Sequence, residues 1–261
     1  MPRPPVRVLT ASALALGALL TATACSAGGT EAGTAAKSPA ASRTPSPSAA
    51  PPSPSAATTL SEAQAQAALI TEADLGEPWS ATQGAATWRD GMLKASTDNA
   101  DCRRLLDALY AEKLFGADAR ASAVTGLDDD WDGAQMRYQV VAHPPAEVDR
   151  TLAWLKKLPK KCGEFTAVTG TGALEWVEVA ETELPEVGDA RQGLRVTVAA
   201  ATEDGDGPVL TLDLAAVRVG EDTIVLTNGG LGEVPSDATW AATELGAERL
   251  AEVRKQGRAQ V

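Results

Sequence analysis

The spacing of apolar residues changes along this chain and divides it into segments. Residues 8–20 form an apolar stretch without charge, and residues 26–59 show no periodicity. From residue 60 onward apolar positions recur first at helical spacing and later in alternation.

The first periodic stretch, 61–70, opens on a Ser61…Gln64 capping box and predicts a helix. Thr71…Asp74 repeats that signal over 71–75, and Gly76 and Pro78 stop it. Asp98 or Asn99 caps the next helix. Its apolar stripe is Leu105, Leu106, Leu109, Tyr110 and Leu114, and Gly116 marks its end. Residues 120–127 predict a strand. Residues 135–142 alternate, with Met136, Tyr138, Val140 and Ala142 on one face and Gln135, Arg137 and Gln139 on the other. The acidic turn 128–133 joins these two as a hairpin. Pro144 and Pro145 open a third helix with Val148, Leu152 and Leu155 inward and Pro159 closing it.

The second half is strand-rich. Residues 163–168, 174–183, 194–202, 208–219 and 223–227 predict strands, with turns at 203–207 and 220–222 and a further turn at Asn228-Gly229-Gly230. Ser236 or Asp237 caps a last helix running to about residue 255. Helices, then a meander of strands, then a closing helix give an α+β fold: a central antiparallel sheet flanked by helices, in a single domain after a disordered linker. No internal repeat of 20–50 residues is present.

The N-terminal run has its own logic. Arg3 and Arg7 precede apolar residues 8–20, a length that suits a signal h-region and is too short to span a bilayer. Small residues Ala22 and Ala24 then lead to Cys25. This reads as a lipoprotein signal, 1–24, with Cys25 the acylated first residue of the mature chain. A leucine at position 22 would be the commoner choice. The rival reading is an ordinary secretory signal cut near Ala24. It leaves Cys25 a reactive thiol without a partner, which favours lipidation. Two or three palmitate-type chains anchor stably where one does not. The expected location is the extracellular side of the cell membrane.

Residues 25–59 are almost wholly Ser, Ala, Thr, Pro and Gly, so the linker cannot bury enough apolar surface to offset chain entropy. The folded region is 60–261. The chain carries a net charge of −12. Setting aside Arg3, Arg7, Lys37, Arg43 and Glu31 leaves 19 basic against 34 acidic side chains beyond residue 59. That balance excludes nucleic acid as a partner and disfavours anionic headgroups.

Beyond Cys25, the cysteines are Cys102 and Cys162. An even pair in an exported domain predicts a disulfide. A zinc site fails for lack of ligands, since His143 is the single histidine.

Several stretches carry a resemblance: "LITEADLGEPW", "DCRRLLDAL", "DDDWDGAQMRYQVVAHPPAEVDRTLAWLKKLPKKCGEFTAV", "LPEVGDARQGLRVTV" and "VRVGEDTIVLTNGG". Together they resemble the PknH-like extracellular sensor domain of actinobacteria over most of 59–261. That domain occurs on receptor serine/threonine kinases and as free lipoproteins. The resemblance implies an α+β domain with a central antiparallel sheet and a cleft for an unknown ligand. Kinase members carry more disulfides than the one pair available here, and this sequence has no kinase segment.

Candidate chemistry is sparse. Asp128, Asp130, Asp132 and Gly133 match the front of a calcium loop, but the twelfth position is Gln139 rather than a bidentate Glu. A solvated acidic turn is the plainer reading; no metal and no cofactor are expected. His143 has no Ser or Cys motif beside it, and a paired-carboxylate hydrolase cannot be picked from so many acids. Six tryptophans stand beside two Phe and two Tyr. Trp154, Trp176 and Trp240 fall on regular elements and suggest core packing. Trp79, Trp88 and Trp131 lie near loops and are the candidate ligand contacts. The expectation is a non-enzymatic lipoprotein binding an envelope ligand. The alternatives are a structural or protein-interaction lipoprotein without a pocket and, further off, a cell-wall hydrolase.

Overall fold

The structure is a computed structural model describing residues 60–259, so the leader, Cys25 and the linker lie outside the described residues. The chain enters through α1 (Glu62–Ala67), α2 (Glu72–Leu75) and a short strand, β1 (Trp79–Ala81). A π-helical turn (Arg89–Leu93) and the two-residue β2 (Ala95–Ser96) lead into α3 (Ala100–Ala111). The hairpin β3 (Arg120–Asp129) and β4 (Gln135–Ala142) precedes α4 (Pro145–Leu155) and α5 (Leu158–Lys161). A meander follows: β5 (Glu164–Thr169), β6 (Leu174–Thr182), β7 (Ala190–Ala200), β8 (Val209–Val219) and β9 (Asp222–Leu231). Helix α6 (Ser236–Ala259) closes the chain.

The strands form one antiparallel sheet in the order β1-β3-β4-β9-β8-β7-β6-β5-β2. The β3–β4 hairpin therefore adds to the last strand of the meander, with Val140 opposite Ile224. Helices α4 and α5 make the crossover between β4 and β5.

Alternation decides which helices sit where. Val177, Val179, Leu194, Val196, Leu212 and Leu214 point to the face packed by α3, α4 and α5. Met136, Tyr138, Val140, Ala215, Val217 and Leu226 point to the other face, under α1 and α6. Central β8 is buried almost throughout because both of its faces are covered, whereas β6 alternates between buried and exposed from Leu174 to Val179. Each helical layer leaves part of the sheet uncovered. The α3 layer leaves β3 and β4 thinly covered beside Arg137. The α6 layer leaves β5 and β6 open, with residues 164, 166, 168, 174, 176, 178 and 180 exposed.

The α1 capping box forms as its residues predict: Gln64 N donates to Ser61 Oγ at 3.3 Å and Ser61 N to Gln64 Oε1 at 2.9 Å. Elsewhere packing overrides local signals. Pro159 does not close α4; it sits in the first turn of α5, where its missing N–H costs nothing. Asn228-Gly229-Gly230 is no turn but part of β9. A Cβ at Gly229 would lie 3.2 Å from the Trp88 ring, so glycine there lets the ring close on the strand. Two tryptophans expected in the core are not there: Trp176 is 62% exposed and Trp240 42%.

Candidate functional site

Helix α3 begins at a sound cap, with Asn99 Oδ1 accepting from Asp101 N at 3.0 Å and Cys102 N at 3.3 Å. Its apolar spacing continues to Leu114, yet the helix stops at Ala111. Glu112 takes a left-handed conformation, φ 53°, the one positive φ at a non-glycine residue among the described residues. That conformation costs about 1–2 kcal/mol for a residue with a Cβ. A Schellman closure offsets the cost, with Lys113 N donating to the Ala108 carbonyl at 3.1 Å and Glu112 N to the Leu109 carbonyl at 3.4 Å; contacts to its side chain and carbonyl add to it. The Glu112 carboxylate sits between two guanidiniums, Arg89 at 2.6 Å and Arg137. Gln139 Nε2 donates to the Glu112 carbonyl at 3.3 Å, and Arg89 Nη1 donates to the Leu109 carbonyl at 3.3 Å.

The reversal at Glu112 carries Leu114 and Phe115 back over β3 and β4. A recess of about 180 Å³ lies below them. Leu114, Phe115, Val124, Val141 and Val225 give it apolar walls, and Glu112, Lys113, Arg137 and Gln139 supply polar groups. Lys113 and Arg137 outnumber Glu112 in the lining, so the recess is a locally basic spot on an acidic chain. Its size is near that of engineered cavities of about 150 Å³ that admit one aromatic ring. Apolar walls with a few fixed polar groups are the usual make-up of a small-molecule site.

The disulfide holds the other end of the same helix. Cys102 in the first turn of α3 bonds Cys162 at the end of α5, with S–S 2.12 Å and Cα–Cα 5.6 Å. Lys161 Nζ reaches Asp101 Oδ2 at 2.6 Å beside it, and this contact foremost holds the Asp101 carboxyl below the usual range.

The residues singled out from the sequence are placed apart. Trp88 is buried on the α3 face, Trp79 is half-buried on the α6 face, and Trp131 stands 75% exposed at the β3–β4 turn. The sheet separates the first two, so the three do not form one stacking wall. Trp88 does line a groove of about 320 Å³ with Asp128 and Gln135, but the polar groups there bind one another. Asp128 Oδ1 accepts from Thr82 Oγ1 and Gln135 Nε2, both at 2.8 Å, and Oδ2 accepts from Gln83 N at 3.2 Å. Asp129, rather than Asp130 or Asp132, organises the turn: its Oδ1 accepts from Trp131 N at 2.9 Å and Asp132 N at 3.0 Å. Asp130 and Asp132 are exposed, and Gln139 is engaged at Glu112. No group of three or more His, Cys, Asp or Glu side chains gathers as a metal site among the described residues. His143 leans on Phe115, ring centroids 5.8 Å apart.

Sequence reasoning passed over Arg89, Glu112 and Arg137. Glu112 is one acid among many, and nothing local marks it as left-handed. The weak signal was the polar face of β4, where Arg137 and Gln139 recur at strand spacing on a strand whose other face is wholly apolar.

No protein-family profile matches this chain, and no curated protein does. Among solved structures it is similar to the extracellular domain of PknH from Mycobacterium tuberculosis, at 14% identity and a TM-score of 0.44, covering 77% of this chain and 100% of that one. It is also similar to an uncharacterized protein from Mycobacterium smegmatis, the Rv0999 ortholog, at 16% identity and a TM-score of 0.36, covering 70% of this chain and 93% of that one. An uncharacterized protein from Rhizobium leguminosarum is similar over 47% of this chain and 97% of its own, at 15% identity and a TM-score of 0.24. No helix among the described residues is long and apolar enough to cross a membrane.

Proposed function

We propose that this chain is a lipid-anchored extracytoplasmic binding protein. Its recess takes a small ligand with an apolar body and an anionic or hydrogen-bond-accepting group. The observation that carries the reading is the Glu112 carboxylate, held between Arg89 and Arg137 at the rim of an apolar recess. Arg137 retains N–H groups beyond those used on Glu112, and Leu114 and Phe115 bury the apolar part. The protein acts by binding and not by turnover in this reading, since Glu112, the one carboxylate lining the recess, is held by Arg89 and Arg137.

The anchor rests on the leader and Cys25. Cys25→Ala releases the protein into the medium if acyl chains hold it; retention in the membrane fraction argues against the anchor. Calorimetric titration with octanoate, octanol and octylamine tests the recess. Octanoate binds best, and Arg137→Ala weakens it about tenfold while leaving octanol unchanged, the loss of roughly one charge-assisted hydrogen bond. Absence of heat from all three probes removes the ligand reading. The alternative, a protein-interaction lipoprotein, is favoured by one observation of its own: the open face of β5 and β6.

A further inference from the structure

The part of the sheet that α6 leaves open is not an ordinary solvated face. Its residues follow from register. Val168 of β5 lies opposite Leu174 of β6, Thr166 opposite Trp176, and Glu164 opposite Glu178. On the next strands Trp176 pairs with Ala199, and Ala199 with Val209. All these side chains point away from the α3 face, where Phe165, Ala167, Val177 and Val179 are packed. The result is a contiguous apolar row of large residues in solvent: Trp176 62% exposed, Leu174 50%, Val168 44% and Val209 37%. A half-buried antiparallel sheet normally turns polar residues to water, so an apolar row there marks a contact surface.

The charge beside the row names the kind of partner. Glu164 and Glu178 are directly opposite each other, both exposed, and like charges in that relation repel. Two carboxylates on the rung next to a tryptophan form an acceptor for a lysine or arginine side chain. The cation would neutralise both acids while its stem lies along the Trp176 ring. An anionic lipid headgroup meets repulsion at the same place.

We propose that the β5–β6 face is a docking surface for a basic, amphipathic segment of another protein, whose apolar side chains cover Trp176 and Leu174 and whose cation bridges Glu164 and Glu178. This face is separate from the recess and does not depend on it.

The test uses the full chain and a synthetic peptide of alternating Leu and Lys, its Leu/Glu counterpart, and vesicles of phosphatidylcholine with phosphatidylglycerol. Nuclear magnetic resonance follows the Trp176 indole N–H and the methyl groups of Val168, Leu174 and Val209. The Leu/Lys peptide shifts these signals, and both Trp176→Ser and the double variant Glu164→Gln/Glu178→Gln weaken its binding about tenfold with unchanged thermal unfolding. The Leu/Glu peptide leaves them in place. Peptide shifts that map elsewhere on the acidic surface overturn the proposal. So does binding indifferent to Trp176→Ser, or a face that engages the vesicles instead of the peptide.

Discussion

Arg195 and Asp213 face each other across β7 and β8 and join in a two-bond fork, 2.7 Å through Nε and 3.0 Å through Nη2. Asp213 is fully buried, and Thr239 Oγ1 donates to it at 3.0 Å. Arg195 Nη2 also reaches the Val234 carbonyl at 3.0 Å. This network fixes the start of α6 on the sheet, so the fold depends on a charged pair beneath a helix end. Arg195→Met leaves the carboxylate with one hydroxyl. Breaking a buried pair costs about 3–5 kcal/mol. Arg195 is a third exposed, which lowers the expected loss to roughly 2–3 kcal/mol. Urea unfolding measures it, and adding Asp213→Leu to the same chain recovers most of the loss.

Tyr138 and Gly246 give a second prediction, with a sign opposite to helix propensity. Gly246 lies inside α6, where alanine would ordinarily stabilise by about 1 kcal/mol. A Cβ there would sit 2.5 Å from the Tyr138 hydroxyl oxygen and 2.6 Å from its ring. Tyr138 is buried, and its hydroxyl donates to the Ala68 carbonyl at 3.3 Å, so the ring has nowhere to go. Gly246→Ala destabilises by about 1–3 kcal/mol, the cost of overpacking. A raised melting temperature in Gly246→Ala would show that the helix shifts freely and that this packing does not constrain it.

The Cys102–Cys162 bond closes a 60-residue span that includes the β3–β4 hairpin and all of the recess lining except Val225. Chain-entropy reasoning assigns it about 4 kcal/mol. Reduction, or Cys102→Ser with Cys162→Ser, lowers the urea midpoint accordingly. It also loosens α3, so octanoate binding at the recess falls with it. Binding that survives reduction unchanged would mean that Arg89 and Arg137 alone hold Glu112 in place.

Two of the shifted carboxyls make opposite contributions to the pH dependence of stability. Glu175 on β6 is 2% exposed, and its Oε2 has no partner among the described residues. Burial pushes its pKa from 4.5 up to about 7. The folded state therefore binds the proton more tightly, and stability falls as pH rises from about 4.5 through 7. Asp74 is the reverse. Its hydrogen bonds to Arg249, at 2.6 and 2.7 Å, hold its carboxyl well below the usual range. Its contribution is present above the ordinary carboxylate pKa and is lost as pH falls below it. These two contributions are together greatest in mildly acid solution. Glu175→Gln flattens the decline toward neutral pH and leaves the acid limb; Arg249→Met removes much of the acid limb. A flat profile between pH 4.5 and 7 in the unaltered protein would contradict the Glu175 assignment.

The legible parts of the chain were those set by neighbours in sequence. The Ser61–Gln64 box, the Asn99 cap and the alternation of β4 over Gln135–Ala142 all appear where local pattern places them. The errors share a cause. Gly229 and Gly230 look like a turn until Trp88 packs on the strand. Pro159 looks like a stop until a new helix starts around it. Trp176 looks like core because β6 alternates, and alternation does not say which of the two faces will be covered.

Sequence alone determined the longer helices and strands and their order, the acidic charge and the pairing partner available to each folded-region cysteine. These depend on spacing of a few residues, on composition or on a count. Tertiary structure alone decided that the β3–β4 hairpin joins β9, that α3 breaks at Glu112 between Arg89 and Arg137, and that β5 and β6 keep one face open. Each of those outcomes depends on where a helix distant in sequence comes to rest, and no local pattern encodes how far a helix reaches across a sheet.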